Sequence, residues 1–166
     1  VSGPVELRDP PGVTVIRVES ARDMLHKVET ALPADIAIFA AAVADWRVAN
    51  EGEQKLKKTS AGMPPLQLVE NPDILATISK LKDKRPPLVI GFAAETDDVV
   101  ANAIAKRVRK GADWIVAKDV RPATGIMGGT ENAAILVTAA GAEPWPRMSK
   151  QATAEALADR MAAALA

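Results

Sequence analysis

Three short strand-like runs restrict what this chain can fold into: Ile36-Ala37-Ile38-Phe39-Ala40, Leu88-Val89-Ile90-Gly91-Phe92 and, apolar after its first residue, Asp113-Trp114-Ile115-Val116-Ala117. Runs that are apolar throughout, rather than alternating, belong to strands buried on both faces, as in a parallel sheet covered by helices. Helical patterns separate the runs, and this β-α alternation points to a doubly wound sheet. The expected fold class is therefore α/β: a mostly parallel, Rossmann-like sheet with helices on both faces.

The remaining elements fit around that sheet. Val13-Thr14-Val15-Ile16-Arg17-Val18 is rich in β-branched residues and reads as a strand. Ser20, with Asp23 three residues on, forms a capping box opening a helix with Met24, Leu25, Val28 and Leu32 on one face, and Pro33 ends it. His26 lies off that face and reads as a solvated helix residue. Asn71-Pro72-Asp73-Ile74-Leu75 predicts a helix start, with Asn at the N-cap and Pro at the first helical position. A further helix is expected from Asp97 to Gly111. Lys55 to Lys58 and Leu66 to Val69 flank a turn-like Thr59 to Pro65, a hairpin arm. Ala133 to Val137 and Pro144 to Met148 predict a C-terminal hairpin about Ala140-Gly141, after which Ser149 caps an Ala-rich helix reaching Ala166. The 166 residues suit one domain, 1–166, with one core. Val1-Ser2-Gly3-Pro4 reads as the last residue of a strand and its turn, so the chain is expected to begin within a fold.

Lys plus Arg equals Asp plus Glu at 21 each, so no global field draws the protein to nucleic acid or an anionic membrane. Any anion site is local. There is no cysteine, and the single histidine cannot build a histidine metal site, which leaves a hard cation held by oxygen ligands. No apolar run reaches the roughly 18 residues a membrane span needs, and no signal peptide is present, so a cytoplasmic location is expected. Walker, serine-nucleophile and G-x-G-x-x-G motifs are absent; the glycine-rich Thr124 to Thr130 stretch reads as a loop.

Ligands of open α/β sheets bind beyond the carboxyl ends of the strands. There this chain has Ala40-Ala41-Ala42-Val43-Ala44-Asp45, whose small residues let a ligand approach the backbone and whose carboxylate suits a cation. Lys55, Lys57 and Lys58 suit a polyanion or form a solvated edge. Asp73 at a helix start disfavours a phosphate and fits a base with an amino group, or simply complements the helix dipole. Phe92 has two readings, stacking on a planar ligand or packing in the core. Lys106 and Lys110, one turn apart, suit neighbouring phosphates or the dipole at the helix C-terminus. Lys118-Asp119 lies beyond another strand end.

Four separated motifs, Ala41-Ala42-Val43-Ala44-Asp45, Lys55-Leu56-Lys57-Lys58, Asn71-Pro72-Asp73-Ile74-Leu75 and Gly91-Phe92-Ala93-Ala94-Glu95-Thr96, stand in order, followed by Lys106, Arg107, Arg109 and Lys110. In that order and spacing the chain closely resembles the bacterial phosphopantothenoylcysteine synthetases, CTP-dependent phosphopantothenate–cysteine ligases of coenzyme A biosynthesis. These are usually the C-terminal half of a bifunctional protein whose other half is a flavin-dependent decarboxylase. The resemblance implies that Asp45, Lys55, Pro72, Asp73, Ile74, Leu75, Phe92, Lys106 and Lys110 contact CTP. It further implies catalytic roles for Lys55 and Asp45, close substrate passage at Ala42, and Mg2+ or another divalent cation on Asp45. FMN would belong only to an attached decarboxylase half. The implied partners are CTP, 4'-phosphopantothenate, L-cysteine and a second copy in a homodimer, with neither nucleic acid nor membrane. Family members carry an N-terminal strand and glycine-rich loop that map to nothing here, so the ligase domain is expected to lack them. A nicotinamide-dependent reductase and a non-catalytic dimerisation or regulatory half are the alternatives.

Overall fold

The computed structural model describes residues 1–49, 65–121 and 129–166. The chain divides into two compact units, Val1–Thr30 with Ala41–Ile74, and Ala31–Ala40 with Leu75–Ala166.

In the first unit, helix α1 spans Ala21–Thr30. Its start is the expected capping box: the Asp23 backbone N–H donates to Ser20 Oγ at 3.1 Å, while the Ser20 N–H and hydroxyl donate to Asp23 Oδ2 at 3.3 and 2.6 Å. The Ser20 bond holds the Asp23 carboxyl below its usual pKa, with Arg22 and His26 adding smaller effects in the same direction.

The strand expected over Val13 to Val18 does not form a ladder. Only an isolated parallel bridge joins Ser2 to Arg17, through Ser2 N–H to the Ile16 carbonyl at 2.9 Å and Val18 N–H to the Ser2 carbonyl at 3.0 Å. Gly3-Pro4 follows Ser2 directly, and a proline has no N–H with which to continue the pairing. β-Branched composition supplied a strand-forming segment, but not a partner of matching length.

Strand β2, Trp46–Val48, pairs antiparallel with β3, Leu68–Glu70, in the register Trp46↔Glu70, Arg47↔Val69, Val48↔Leu68. The segment expected to pair with Lys55 to Lys58 thus has Trp46–Val48 as its partner among the described residues. Lys55 to Lys58 themselves lie outside the described residues.

The second unit holds a five-stranded sheet. Its strands are β1 (Ile36–Phe39), β4 (Leu88–Glu95), β5 (Trp114–Asp119), β7 (Ala134–Thr138) and β8 (Gly141–Pro144), and they lie side by side in that order. β1, β4 and β5 are parallel, the three apolar runs of the sequence. β7 and β8 then add an antiparallel hairpin. The parallel character is therefore confined to one side of a mixed sheet. The hairpin's second strand is Gly141–Pro144, not Pro144 to Met148. Met148–Ser149, strand β9, pairs instead with β6, Glu131–Asn132. A tight turn after Thr138, with Gly141 at φ 134°, brings the chain back earlier than hydrophobicity alone indicates.

Side-chain alternation divides the sheet into two apolar faces. Val89, Ala93, Ile115, Ala117 and Val137 pack on one, with Leu75 of α2 (Ile74–Ser79) and Ala103 of α3 (Val99–Lys110). Leu88, Ile90, Val116, Ala134 and Leu136 pack on the other, with Leu157 and Met161 of α4 (Lys150–Leu165). Helices therefore cover both faces at β4 and β5, as their apolar runs require, whereas β1 at the sheet edge is only half-buried and leaves Ile38 45% exposed, against the buried strand its run predicts. Ser149 caps α4 as expected, its Oγ accepting the Ala152 N–H at 3.0 Å.

One polar knot ties the starts of β4 and β5. Asp113 Oδ2 accepts the Val89 N–H at 2.7 Å and an Arg85 guanidinium nitrogen at 2.9 Å. Arg85 also donates to the carbonyls of Ser79, Pro86 and Gly111. This fork satisfies carbonyls at the ends of both α2 and α3, which would otherwise lack intrahelical partners.

Candidate functional site

In the first unit two of the sequence motifs meet. The Asn71 backbone N–H donates to the Asp45 carbonyl at 2.8 Å, and its side-chain amide donates to the Ala44 carbonyl at 2.9 Å. Both donors of one residue thus tie the Ala-Ala-Val-Ala-Asp segment to the Asn-Pro-Asp-Ile-Leu segment, and the β2–β3 pairing continues directly from them. Arg47 adds a bond to the Glu70 carbonyl at 3.0 Å. Beyond this tie the side chains of Ala42, Ala44 and Asp45 are exposed.

The helix expected from Pro72 begins at Ile74 and is six residues long. Asn71 and Pro72 form the approach to it, and Asp73 is exposed immediately before it. Ile74 and Leu75 are buried, at 6% and 9% exposure, and so serve as packing residues. Of the segment linked by sequence to the nucleotide base, Asp73 offers an exposed polar side chain and Pro72 a half-buried ring.

In the second unit Phe92 is half-buried on β4, opposite Val116, on the sheet face that α4 covers. Phe92 packs against the core, the second of its two readings, and part of its ring surface stays uncovered. The Lys118 ammonium lies 5.7 Å from the centroid of that ring. The register explains the contact. Lys118 stands opposite Ala94, so it occupies the same face as Phe92, two residues further along the strand direction.

Lys106 and Lys110 are elsewhere. α3 returns from the end of β4 to the start of β5, so its last turn, with Arg107, Arg109 and Lys110, lies at the sheet end where β5 begins. α3 also packs on the face opposite Phe92. Within this unit the fold brings Phe92 together with Lys118, and does not bring it together with Lys106 and Lys110.

At the carboxyl end of β5, Arg121 pairs with Asp119. Its guanidinium hydrogen bonds hold the Asp119 carboxyl below the usual carboxylate range and raise the Arg121 pKa in return. Asn132 on β6 is buried, and its side-chain oxygen has no hydrogen-bond partner among the described residues.

Among the described residues no group of three or more acidic or histidine side chains gathers to hold a metal. Asp45 alone is not a metal site. Lys55, the remaining residue of catalytic interest in the sequence, lies outside the described residues, as do Thr124 to Gly128. Lys118 and Asp119, expected beyond the strand end, are instead the last two residues of β5, while the Lys118 contact with Phe92 and the bridging role of Asn71 left no sign in the motifs. The Lys118 contact depends on cross-strand register and the Asn71 bridge on a contact between segments far apart in sequence.

The fold is that of a mixed α/β domain with ligand-type residues at its strand ends, and it has counterparts among solved structures. The C-terminal domain of a coenzyme A biosynthesis bifunctional protein CoaBC superimposes at a TM-score of 0.75 with 32% identity, covering 98% of this chain and 71% of that one. A DNA/pantothenate metabolism flavoprotein from Streptococcus pneumoniae shares the fold at a TM-score of 0.75 and 19% identity, covering 97% of this chain and 78% of that one.

The chain belongs to the DNA/pantothenate metabolism flavoprotein C-terminal domain family, whose model matches residues 1–165. The coenzyme A biosynthesis bifunctional protein CoaBC of Vibrio cholerae is 42% identical over 159 residues, covering 95% of this chain and 40% of its own length. That of Escherichia coli K12 is 39% identical over 164 residues, covering 97% and 40%. The resemblance to phosphopantothenoylcysteine synthetases, the C-terminal part of such bifunctional proteins, is thereby upheld, and the chain spans about 40% of the length of these relatives. No described helix is long and apolar enough to cross a membrane.

Proposed function

We propose that this chain carries the ligase activity of coenzyme A biosynthesis, joining 4'-phosphopantothenate to L-cysteine at the expense of CTP. The observation that carries the reading is the double hydrogen bond from Asn71 to Ala44 and Asp45, which joins two of the four ordered motifs at one place in the folded chain. The similarity to the coenzyme A biosynthesis proteins supports the substrate class.

In the proposed reaction a carboxylate oxygen of phosphopantothenate attacks the α-phosphorus of CTP. The bond from that phosphorus to the bridging oxygen breaks, and pyrophosphate leaves. The cysteine amine then attacks the acyl carbon, its proton is lost to solvent or a base, and the acyl–oxygen bond breaks to release CMP. Both steps concentrate negative charge on oxygen, which positioned cations stabilise. No protein nucleophile is required, in keeping with the absence of cysteine.

In this scheme the exposed Asp73 carboxylate is an acceptor suited to an exocyclic amine such as cytosine's, and the uncovered part of the Phe92 ring is suited to stacking on a planar base. Asp45 is one oxygen ligand for a cation on the phosphates, and Ala42 leaves the backbone open to substrate. Lys55 approaches the reacting phosphate or acyl group, while phosphate neutralisation by Lys106 and Lys110 rests on the family resemblance alone, since α3 sets them on the sheet face opposite Phe92.

The test is product release with CTP, phosphopantothenate and cysteine. Pyrophosphate is expected to appear with CTP and phosphopantothenate alone, and CMP only after cysteine is added. Pyrophosphate release that does not depend on phosphopantothenate, or amide formation that proceeds without CTP, would overturn the assignment.

A further inference from the structure

Lys118 is a half-buried cation at the carboxyl end of a parallel strand, where α/β sheets bind ligands. Among the described residues its ammonium has the Phe92 ring as partner and no carboxylate. The acidic side chains nearest in register, Glu95 and Asp119, stand opposite each other on alternate positions and so point to the other face. Asp119 is in addition engaged with Arg121. The cross-strand neighbours of Lys118 are both alanines, Ala94 and Ala134, which leave its surroundings on this face without bulk beyond a methyl group on either side. Its stem lies along apolar surface while its ammonium, with no carboxylate beside it among the described residues, stays available to an anion at the strand end.

We propose that Lys118 is an anion-binding residue for the phosphates of the nucleotide, held in waiting on the Phe92 ring. The inference rests on the reading that Phe92 stacks on the base. A cation–π contact is weaker than a charge-assisted hydrogen bond to phosphate. An arriving nucleotide can therefore exchange with it: the base takes ring surface and a phosphate takes the ammonium. The placement also answers a geometric difficulty. Lys106 and Lys110 ride on the helix of the opposite sheet face, whereas Lys118 shares a face with the ring.

The exchange is tested by calorimetric binding of CTP, cytidine and tripolyphosphate to the wild-type chain and to Lys118→Met and Lys118→Arg at low ionic strength. Lys118→Met is expected to weaken CTP and tripolyphosphate about tenfold. It should leave cytidine as tight as in wild type, and Lys118→Arg should retain most of the anion affinity. Unchanged CTP and tripolyphosphate binding in Lys118→Met would overturn the proposal. So would an equal loss for cytidine, which would mean that Lys118 acts only by steadying the ring. Wild-type protein that binds GTP as tightly as CTP would defeat the cytidine reading instead, and the tripolyphosphate comparison would still decide the role of Lys118.

Discussion

Gly91 is where helix α2 comes down on the sheet. A Cβ at this position would stand 2.5 Å from Leu75 Cδ2 and 2.9 Å from Ile115 Cδ1, and both side chains are buried with little room to yield. Gly91→Ala is therefore expected to lose about 1–3 kcal/mol of stability in urea unfolding through overpacking. Shortening Leu75 removes the closest obstacle, so Gly91→Ala with Leu75→Ala should lose less than the sum of the two single changes. Ser79 gives the opposite sign. Its hydroxyl is buried and has no hydrogen-bond partner among the described residues, although its carbonyl accepts from Arg85. Ser79→Ala removes the unsatisfied group and keeps the carbonyl, and should raise stability by about 0.5–1 kcal/mol; a loss in the same urea titration would show that the hydroxyl is satisfied in solution. At this scale the sequence was informative wherever chemistry is local. The Ser20–Asp23 box and the Ser149 cap depend on residues three apart and both form. Lys118 and Asn71 act across tens of residues, and spacing within a motif carries no trace of their partners.

Among the elements, the three apolar runs form the parallel strands; at β4 and β5 burial on both faces leaves that mark in composition, whereas β1 carries the same mark on an edge strand that stays half-exposed. The Val13 to Val18 segment and the C-terminal hairpin were read less well. Strand propensity states that a segment can pair, and not with what or for how long. The Arg85–Asp113 knot is the counterpart of the helices' own ends, since it supplies donors to carbonyls that α2 and α3 leave open. Arg85→Ala should cost about 2 kcal/mol in urea unfolding, because three carbonyls and one half-buried carboxylate lose a donor together. Asp119, at the carboxyl end of β5, has a pH signature. Arg121 holds its folded pKa beneath that of an ordinary aspartate, so the unfolded chain binds the proton more readily. The resulting stabilisation is complete above the ordinary aspartate range and is lost as pH falls through the lowered value. Asp119→Asn should thus be less stable than wild type at neutral pH and converge with it in strong acid; a difference that persisted unchanged down to that range would remove the Asp119–Arg121 pair as its cause.

For the whole molecule, the charge balance decides how the proposed nucleotide would be found. With 21 basic and 21 acidic residues there is no net field to concentrate polyanions, so recognition has to come from local groups. A ligand that binds only the native state raises its stability in proportion to the logarithm of ligand concentration over Kd, about 2.7 kcal/mol at a hundredfold excess over Kd. If base contacts at Asp73 and Phe92 accompany the phosphate contacts, CTP should raise the melting temperature more than GTP at equal concentration. Heparin, which offers charge without a base, should raise it little. The three differ in what they present: CTP and GTP carry the same triphosphate and differ in the base, whereas heparin supplies a greater density of anions than either. Equal shifts for CTP and GTP would reduce the site to its cations and discard the roles of Asp73 and Phe92 in base selection. A larger shift with heparin would mean that a basic surface, and not a nucleotide site, governs what this chain binds.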